Sequence, residues 1–389
     1  MKVDESLNLI HLANFNSTNI GNGALIKGLE STLEEDFPCL IHWQREPWDN
    51  YTFGLIDFDE AFVEKVNASD GLIIGGAVTF NGRDYNNHTG TRFELPFELW
   101  SKVTKPIVFY GLSYRHWQGQ TYHHVDKLKM TIEKILASEN MILAVRNDGT
   151  KSWLRGMTGI DSSGIVEVPD SAVYVSAQKH GYYAEILDGV KNIIVSFNDE
   201  DMSYRFDQNY SVPGVSNRSR DYIIDELVTG LEKIADNFPV NFILCPHYFD
   251  DYRFFSHFIE RVNPRIAHQR MVSTGLCRIK DSDLFYGRYS NVDLSISMRV
   301  HSMSPCIGLG TPMIAYTTQN RMIDFIERIG LSQFAVDAFG ASSGLSLFER
   351  AKFALENPEQ VREQFLRVRE SLREDTRNFH LRVYELLIA

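Results

Sequence analysis

No stretch of the 389-residue chain comes near the roughly 18 consecutive apolar residues that a membrane-spanning helix needs. The opening segment MKVDESLNLIHLANF likewise lacks the uninterrupted apolar core of a signal peptide. These two absences predict a cytoplasmic protein with no integral membrane segment. Cysteine is scarce: Cys39, Cys245, Cys277 and Cys306 include no C-x-x-C pair. Neither a disulfide framework nor a zinc site is expected, and the thiols read as free and mostly buried in a reducing compartment. Basic residues are in the minority, 39 against 51 acidic ones, for a formal net charge of −12. That disfavours a nucleic-acid partner, whose phosphates demand clustered cations. A few local arginines could still serve an anionic substrate.

What is present is ordinary for a globular protein, with 43% hydrophobic and 23% charged residues, and the length suits two domains. Short apolar runs at 7–12, 39–43, 71–74, 106–110, 141–145 and 165–168 alternate with amphipathic segments such as 24–33, 58–66 and 125–137. Strands alternating with helices imply βαβ units and a mostly parallel sheet. The pattern then restarts with runs at 192–197, 241–245, 265–271, 293–297 and 313–316. In the helix predicted over 222–235, Ile223, Ile224, Leu227, Leu231 and Ile234 recur at helical spacing. The polar segment 199–219 reads as a loop, and Asn357–Pro358 divides a charged helical tail that begins near Leu345. The expected architecture is α/β: two doubly wound domains, 1–180 and 190–345, facing a cleft, then C-terminal helices over 346–389. Ligands of such sheets bind beyond the carboxyl ends of the strands.

Several strand-end loops carry candidate chemistry. The turn NFNSTNIGNG, residues 14–23, leads from a strand into a helix whose N-terminus could face an anion; capping that helix is an equal reading. Gly75–Gly76 follows a buried strand and would let a ligand or a chain segment approach the backbone, although a tight strand-to-helix turn needs the same residues. The loop GLSYRHW brings up Arg115 and His116, and Arg146 ends another strand in AVRND with Asp148 as a helix cap. In CPHYFDD, His247 is a candidate proton carrier, while Asp250 and Asp251 read as caps for the next helix.

The block SMRVHSMSPCIGLGTPMIAYTTQNRMIDF, residues 297–325, is the richest. A buried strand delivers Arg299, then His301 and Ser302 open a helix of small residues. A guanidinium fork, an imidazole and a helix N-terminus converge within four residues, and each favours an anion. The competing reading is an internal Arg–Asp pair with His301 capping its helix.

These residues resemble the polysaccharide pyruvyltransferase family. Its signature is a strand ending in R-x-H-S, a small-residue helix, G-x-P, a strand ending in tyrosine and another helix; here these are Arg299, His301, Ser302, Gly310, Pro312, Tyr316 and the helix from Arg321. The N-x-G-N turn from Asn19 to Asn22, the pair Gly75–Gly76, V-R-N-D at Arg146 and V-P-D ending at Asp170 match as well, so the resemblance spans roughly residues 8–335. Asn22 replaces the family's usual aspartate, and Arg321 stands near where a lysine is common.

The resemblance implies two Rossmann-like domains similar to GT-B glycosyltransferases, with no metal and no cofactor. It implies transfer of a pyruvyl group from phosphoenolpyruvate to two hydroxyls of a sugar, free or lipid-linked, in exopolysaccharide synthesis. Arg299, His301 and His247 would be catalytic. Arg146, Ser302, Gly75, Gly76, Asn19, Asn22, Tyr316 and Arg321 would contact the donor. Two other readings stand beside it: a sugar-nucleotide glycosyltransferase of similar fold, and a non-catalytic glycan-binding protein.

Overall fold

The apolar runs become strands of two parallel sheets, mostly buried on both faces as covered parallel strands are. The computed structural model describes residues 6–76, 78–81, 88–116, 122–177, 183–198 and 220–389. The loop expected over 199–219 and Trp117 lie outside the described residues. In the first half the strands are β1 (Ser6–Ala13), β2 (Leu40–Pro47), β3 (Gly71–Gly75), β4 (Val78–Asn81), β5 (Ile107–Arg115), β6 (Met141–Arg146) and β7 (Val166–Val168). Their order is β2-β1-β3-β5-β6-β7, with β4 paired to the end of β5. Alternation along β1 splits the core. Leu9 faces Leu29, Leu33 and Phe37, whereas Ile10 and Leu12 join Trp48, Leu72 and Ile74 on the opposite face.

The second half supplies β8 (Lys191–Ser196), β9 (Val240–Leu244), β10 (Met271–Ser273), β11 (Leu294–Ser297), β12 (Met313–Thr317) and β13 (Ala335–Asp337), ordered β10-β9-β8-β11-β12-β13. Counted from β8 this is 3-2-1-4-5-6, the dinucleotide-fold order, whose switch point lies between β8 and β11. The run at 265–271 is not the strand expected there. Asn263 accepts a hydrogen bond from the Arg265 N–H, and Pro264 fills the first helical position, so residues Pro264–Arg270 are helical and only Met271–Ser273 pair with β9.

By its contacts the chain forms two units, one of residues 1–17, 25–174 and 371–389, the other of 18–24 and 175–370. The tail expected as separate helices over 346–389 is shared between them. The final helix, Pro358–Ile388, places Phe379, Val383 and Leu387 in the core of the first unit beside Leu9, Ile73 and Val108. Asp36 anchors that end of the helix, accepting two bonds from Arg373 at 2.7 and 2.6 Å and one from His380 Nδ1 at 2.6 Å. Each unit is a Rossmann-like α/β domain, the fold class expected from the sequence.

Candidate functional site

Strand β11 ends at the switch point of the second sheet and hands the chain to Arg299, whose extended backbone (φ −139°, ψ 143°) begins the helix Val300–Leu309. The Arg299 carbonyl accepts from the N–H groups of Ser302 and Met303 at 3.1 and 3.2 Å. Its side chain turns back across the switch point. Nε–H donates to the carbonyl of Phe197 just beyond β8 at 3.0 Å, Nη2 bonds Asp251, and the guanidinium lies 4.5 Å from the Tyr248 ring centroid. The internal Arg–Asp pair, set above as the competing reading, is therefore present. Neither aspartate caps the next helix as expected: Asp250 holds the cap position without a side-chain capping bond, and Asp251 is the first residue of the helix Asp251–Ile259. Its second oxygen accepts from the backbone N–H groups of His247 and Tyr248 at 2.8 and 3.3 Å, cinching the loop after β9. Burial pushes its carboxyl up, and Arg299 with the two N–H donors opposes that.

His247 occupies the strand end expected, but its imidazole is turned inward and fully buried. Phe285 and Tyr286 stand against it with ring centroids 5.2 and 6.2 Å away, and Tyr289 Oη lies 3.1 Å from Nε2. Burial, then Arg299 and His301, pull its pKa well below the ordinary value, so the ring is neutral at pH 7. It does not present a proton to an open surface. What it offers outward is its carbonyl, which accepts from Ile20 N–H at 3.1 Å.

That bond docks the 19–22 turn onto this site. Asn19 Oδ1 accepts from Gly21 N–H at 3.0 Å, which is a helix cap, and Asn22 is half-buried one turn on. Gly21 lies against His301 so closely that a Cβ there would stand 2.6 Å from Nδ1. His301 is half-buried, and its carbonyl accepts from the buried Tyr286 hydroxyl at 2.8 Å. Asn19, Gly21, Asn22, His247, Arg299 and His301 thus meet within one unit although up to 282 positions separate them (301 minus 19). Tyr248 and the pair Tyr286 and Tyr289 are not singled out by the sequence reading, which takes Asp251 as a helix cap and not as the partner of Arg299. The spacing of Tyr286 and Tyr289, three apart on a short helical segment, was the available signal.

Other expected donor contacts are engaged internally. Ser302 is fully buried; it accepts from Ser196 Oγ at 2.7 Å and donates to the Arg299 carbonyl at 2.9 Å. Tyr316, on an inward-facing position of β12, is buried with its hydroxyl 2.9 Å from Ser343 Oγ. Arg321 is half-buried beside Gln319. Arg146, Gly75 and Gly76 form their own cluster in the first unit. Arg146 is 1% exposed and does meet an anion, but an internal one: Nε stands 3.2 Å from Asp170, and Nη2–H donates to the Gly76 carbonyl at 2.9 Å. The V-R-N-D, V-P-D and G-G motifs thereby brace one another. Gly76 has φ +56°, and a Cβ on Gly75 would stand 2.2 Å from Nε2 of the buried His11, so both positions require glycine.

Comparison with known proteins follows the same lines. The profile described as polysaccharide pyruvyl transferase matches residues 19–320. No curated protein matches the chain in sequence. Among solved structures, a glycosyltransferase from Rickettsia africae ESF-5 superposes with TM-score 0.55 at 12% identity, over 99% of each chain. An α,α-trehalose-phosphate synthase (UDP-forming) from Burkholderia vietnamiensis gives 0.55 at 11% identity, over 100% of this chain and 98% of its own. Identities this low establish the shared GT-B-like fold of two Rossmann-like domains.

Proposed function

The chain belongs to the polysaccharide pyruvyl transferase family, and we propose from that premise that it moves the enolpyruvyl carbon of phosphoenolpyruvate onto two hydroxyls of a sugar, leaving a cyclic pyruvate ketal. The observation that supports the reading is the meeting of His301, Arg299 and the 19–22 turn at the switch point of the second sheet. Phosphoenolpyruvate carries a phosphate and a carboxylate close together, so its site needs positive charge and an acid in one place. The helix Val300–Leu309 contributes the positive end of its dipole and His301 a half-buried imidazole able to move a proton, while Arg299 brings a guanidinium held in place by Asp251, which offsets part of its charge.

In this reading His301 delivers a proton to the donor's methylene carbon, and C2 becomes oxocarbenium-like. One sugar hydroxyl adds to C2 and gives up its proton. The C–O bond to phosphorus then breaks on the C2 side, inorganic phosphate leaves, and the second hydroxyl closes the ketal with loss of its proton. Asp251 positions Arg299, and the His247 carbonyl positions the turn that backs His301. Asn22 and Arg321, both half-buried, are the remaining donor contacts of this reading. The acceptor is a sugar of an exopolysaccharide precursor in the cytoplasm, free or lipid-linked.

The test is to incubate the purified protein with phosphoenolpyruvate and glycan fragments, measuring acceptor-dependent phosphate release and the mass of the product. Sugar nucleotides run alongside. Consumption of a sugar nucleotide with no turnover of phosphoenolpyruvate would overturn the assignment in favour of a glycosyltransferase.

A further inference from the structure

Residues 53–56 form a turn of the first unit in which Phe53, Leu55 and Ile56 are 75, 72 and 42% exposed. No other four consecutive residues among those described expose three large hydrophobic side chains, and a cluster of that kind marks an interaction surface. We propose that this tip seats the protein reversibly on the surface of a bilayer of zwitterionic lipids, whose headgroups end in an ammonium. The proposal goes beyond the reaction assigned above and does not depend on it.

The turn holds its apolar side chains outward. It closes the helix Trp48–Thr52 with a Schellman cap: Gly54, at φ +64°, donates to the Tyr51 carbonyl at 3.1 Å, and Leu55 donates to that of Asn50 at 2.8 Å. Such a cap often folds its last residue onto an apolar side chain one turn back. Here Asp49 and Asn50 hold those places, and Leu55 stays exposed. The stem below is fixed. Trp48 is fully buried with the Arg92 guanidinium 4.9 Å from its ring centroid, and Tyr51 stacks on buried Phe58 with centroids 4.0 Å apart.

Two observations select the lipid surface. The N–H groups of Phe53, Gly54, Leu55 and Ile56 all donate to carbonyls of Asp49, Tyr51 and Asn50. The tip therefore leaves water without orphaning a donor, and it offers no N–H to a partner strand. The second observation is charge. Residues 49–60 include Asp49, Asp57, Asp59 and Glu60 but no lysine or arginine. Glu60 is paired with Lys102, whereas Asp57 and Asp59 stand exposed at the side of the tip. Anionic lipids attract basic segments and repel this one. Ammonium-ended headgroups complement its carboxylates. No helix of the described residues is long and apolar enough to cross a membrane; the contact proposed is peripheral, and its strength follows the apolar area that the tip buries.

The experiment floats the full chain with vesicles of phosphatidylcholine and phosphatidylethanolamine, and with the same vesicles carrying added phosphatidylglycerol. Wild type should float with the zwitterionic vesicles and less with the anionic ones, and added salt should narrow that difference by screening. Phe53→Ser/Leu55→Ser should lower the partition coefficient about tenfold or more, since two apolar side chains no longer leave water. Both positions are exposed, so the melting temperature should match that of wild type. In Phe53→Trp, the added indole emission should shift to the blue when zwitterionic vesicles are supplied. No flotation with zwitterionic vesicles, equal flotation of the double variant, or binding confined to anionic vesicles would each overturn the proposal. Self-association of the wild type that the double variant loses, without vesicle binding, would overturn it in favour of a second copy of the chain.

Discussion

The imidazole of His301 rests on the Cα of Gly21: a Cβ built there would come 2.6 Å from Nδ1 and 2.8 Å from the histidine Cβ. Because the histidine Cβ is close to the main chain, a methyl group at residue 21 cannot be absorbed by rotating a side-chain tip. Gly21 lies in the helix Ile20–Asp36, where alanine is the better helix former by up to about 1 kcal/mol. Gly21→Ala should therefore displace His301 without unfolding the protein. We expect turnover to fall about 10- to 100-fold, as for a catalytic group misplaced by about an ångström, with the melting temperature within a few degrees of wild type. Full activity would show that the imidazole's position is not critical.

The Arg299–Asp251 pair predicts an asymmetry between its two ends. Asp251→Ala leaves a guanidinium that is 7% exposed beside Tyr248 without its carboxylate, and it should cost about 3–5 kcal/mol in urea unfolding. Arg299→Lys keeps a charge for Asp251 but loses the Nε–H bond to the Phe197 carbonyl, so it should cost about 1–3 kcal/mol. If Arg299 also contacts the donor, as proposed, Arg299→Lys raises the KM for phosphoenolpyruvate as well. An unchanged KM would confine Arg299 to a structural role.

Much of the fold was legible because covered parallel strands are nearly continuous apolar runs. LNLIHLA, GLIIG and KNIIVS announce themselves in any window. The strands that escaped are short: β4 has four residues and β13 three. The error at 265–271 came from weighing IAHQRM for its apolar residues and overlooking Asn263–Pro264, a helix start by chemistry. The site was legible as strand ends and not as contacts. That Arg299 would spend its charge on Asp251, or Arg146 on Asp170, depends on which way side chains turn at the ends of strands far apart in sequence. Local pattern does not carry that information.

The buried His247 gives the stability a definite pH slope. Its folded pKa is lowered by burial first, then by Arg299 and His301, while in the unfolded chain it titrates near 6.5. Below that value the unfolded state binds a proton that the folded state refuses, so the contribution is complete above about pH 6.5 and is lost progressively as pH falls. His380, also lowered by burial, adds to the slope with the same sign. Urea midpoints measured from about pH 7.5 to 5.5 should fall more steeply for wild type than for His247→Gln. Equal slopes would mean that His247 can be protonated in the folded protein.

The C-terminal helix should behave as part of the first unit's core. Phe379 is 3% exposed within it, and Phe379→Ala should cost about 3–5 kcal/mol. Leu381, two residues on and 60% exposed, should tolerate alanine within about 0.5 kcal/mol. Asp36 adds an acid-sensitive anchor. Burial alone would raise its carboxyl, but the bonds from His380 and Arg373 outweigh it and hold it at about 2. Its contribution is thus present above the ordinary value of 3.8 and lost as pH falls through about 2. Equal effects of the two alanine substitutions would mean that the helix end is not packed as described.

The His301→Ala variant decides whether this chain transfers pyruvate through that imidazole. The competing role, capping its helix, predicts about 1 kcal/mol of lost stability and nearly intact turnover. Geometry disfavours it, because the cap position belongs to Arg299 and no side chain there accepts a capping bond. The His301 bond to Tyr286 uses the backbone carbonyl, which alanine retains. Truncating a half-buried ring leaves little enclosed cavity, so the cost in stability should be well below that of a core truncation. Loss of a general acid typically costs about 10²–10⁴-fold in rate. Phosphate release from phosphoenolpyruvate, assayed with acceptor on the same preparation used for thermal melts, should therefore fall by that range while the melt barely moves. Turnover within a few-fold of wild type would transfer the proton to another group. Asn22, half-buried next to Gly21, cannot supply one, so the search would then move to Tyr286 and Tyr289.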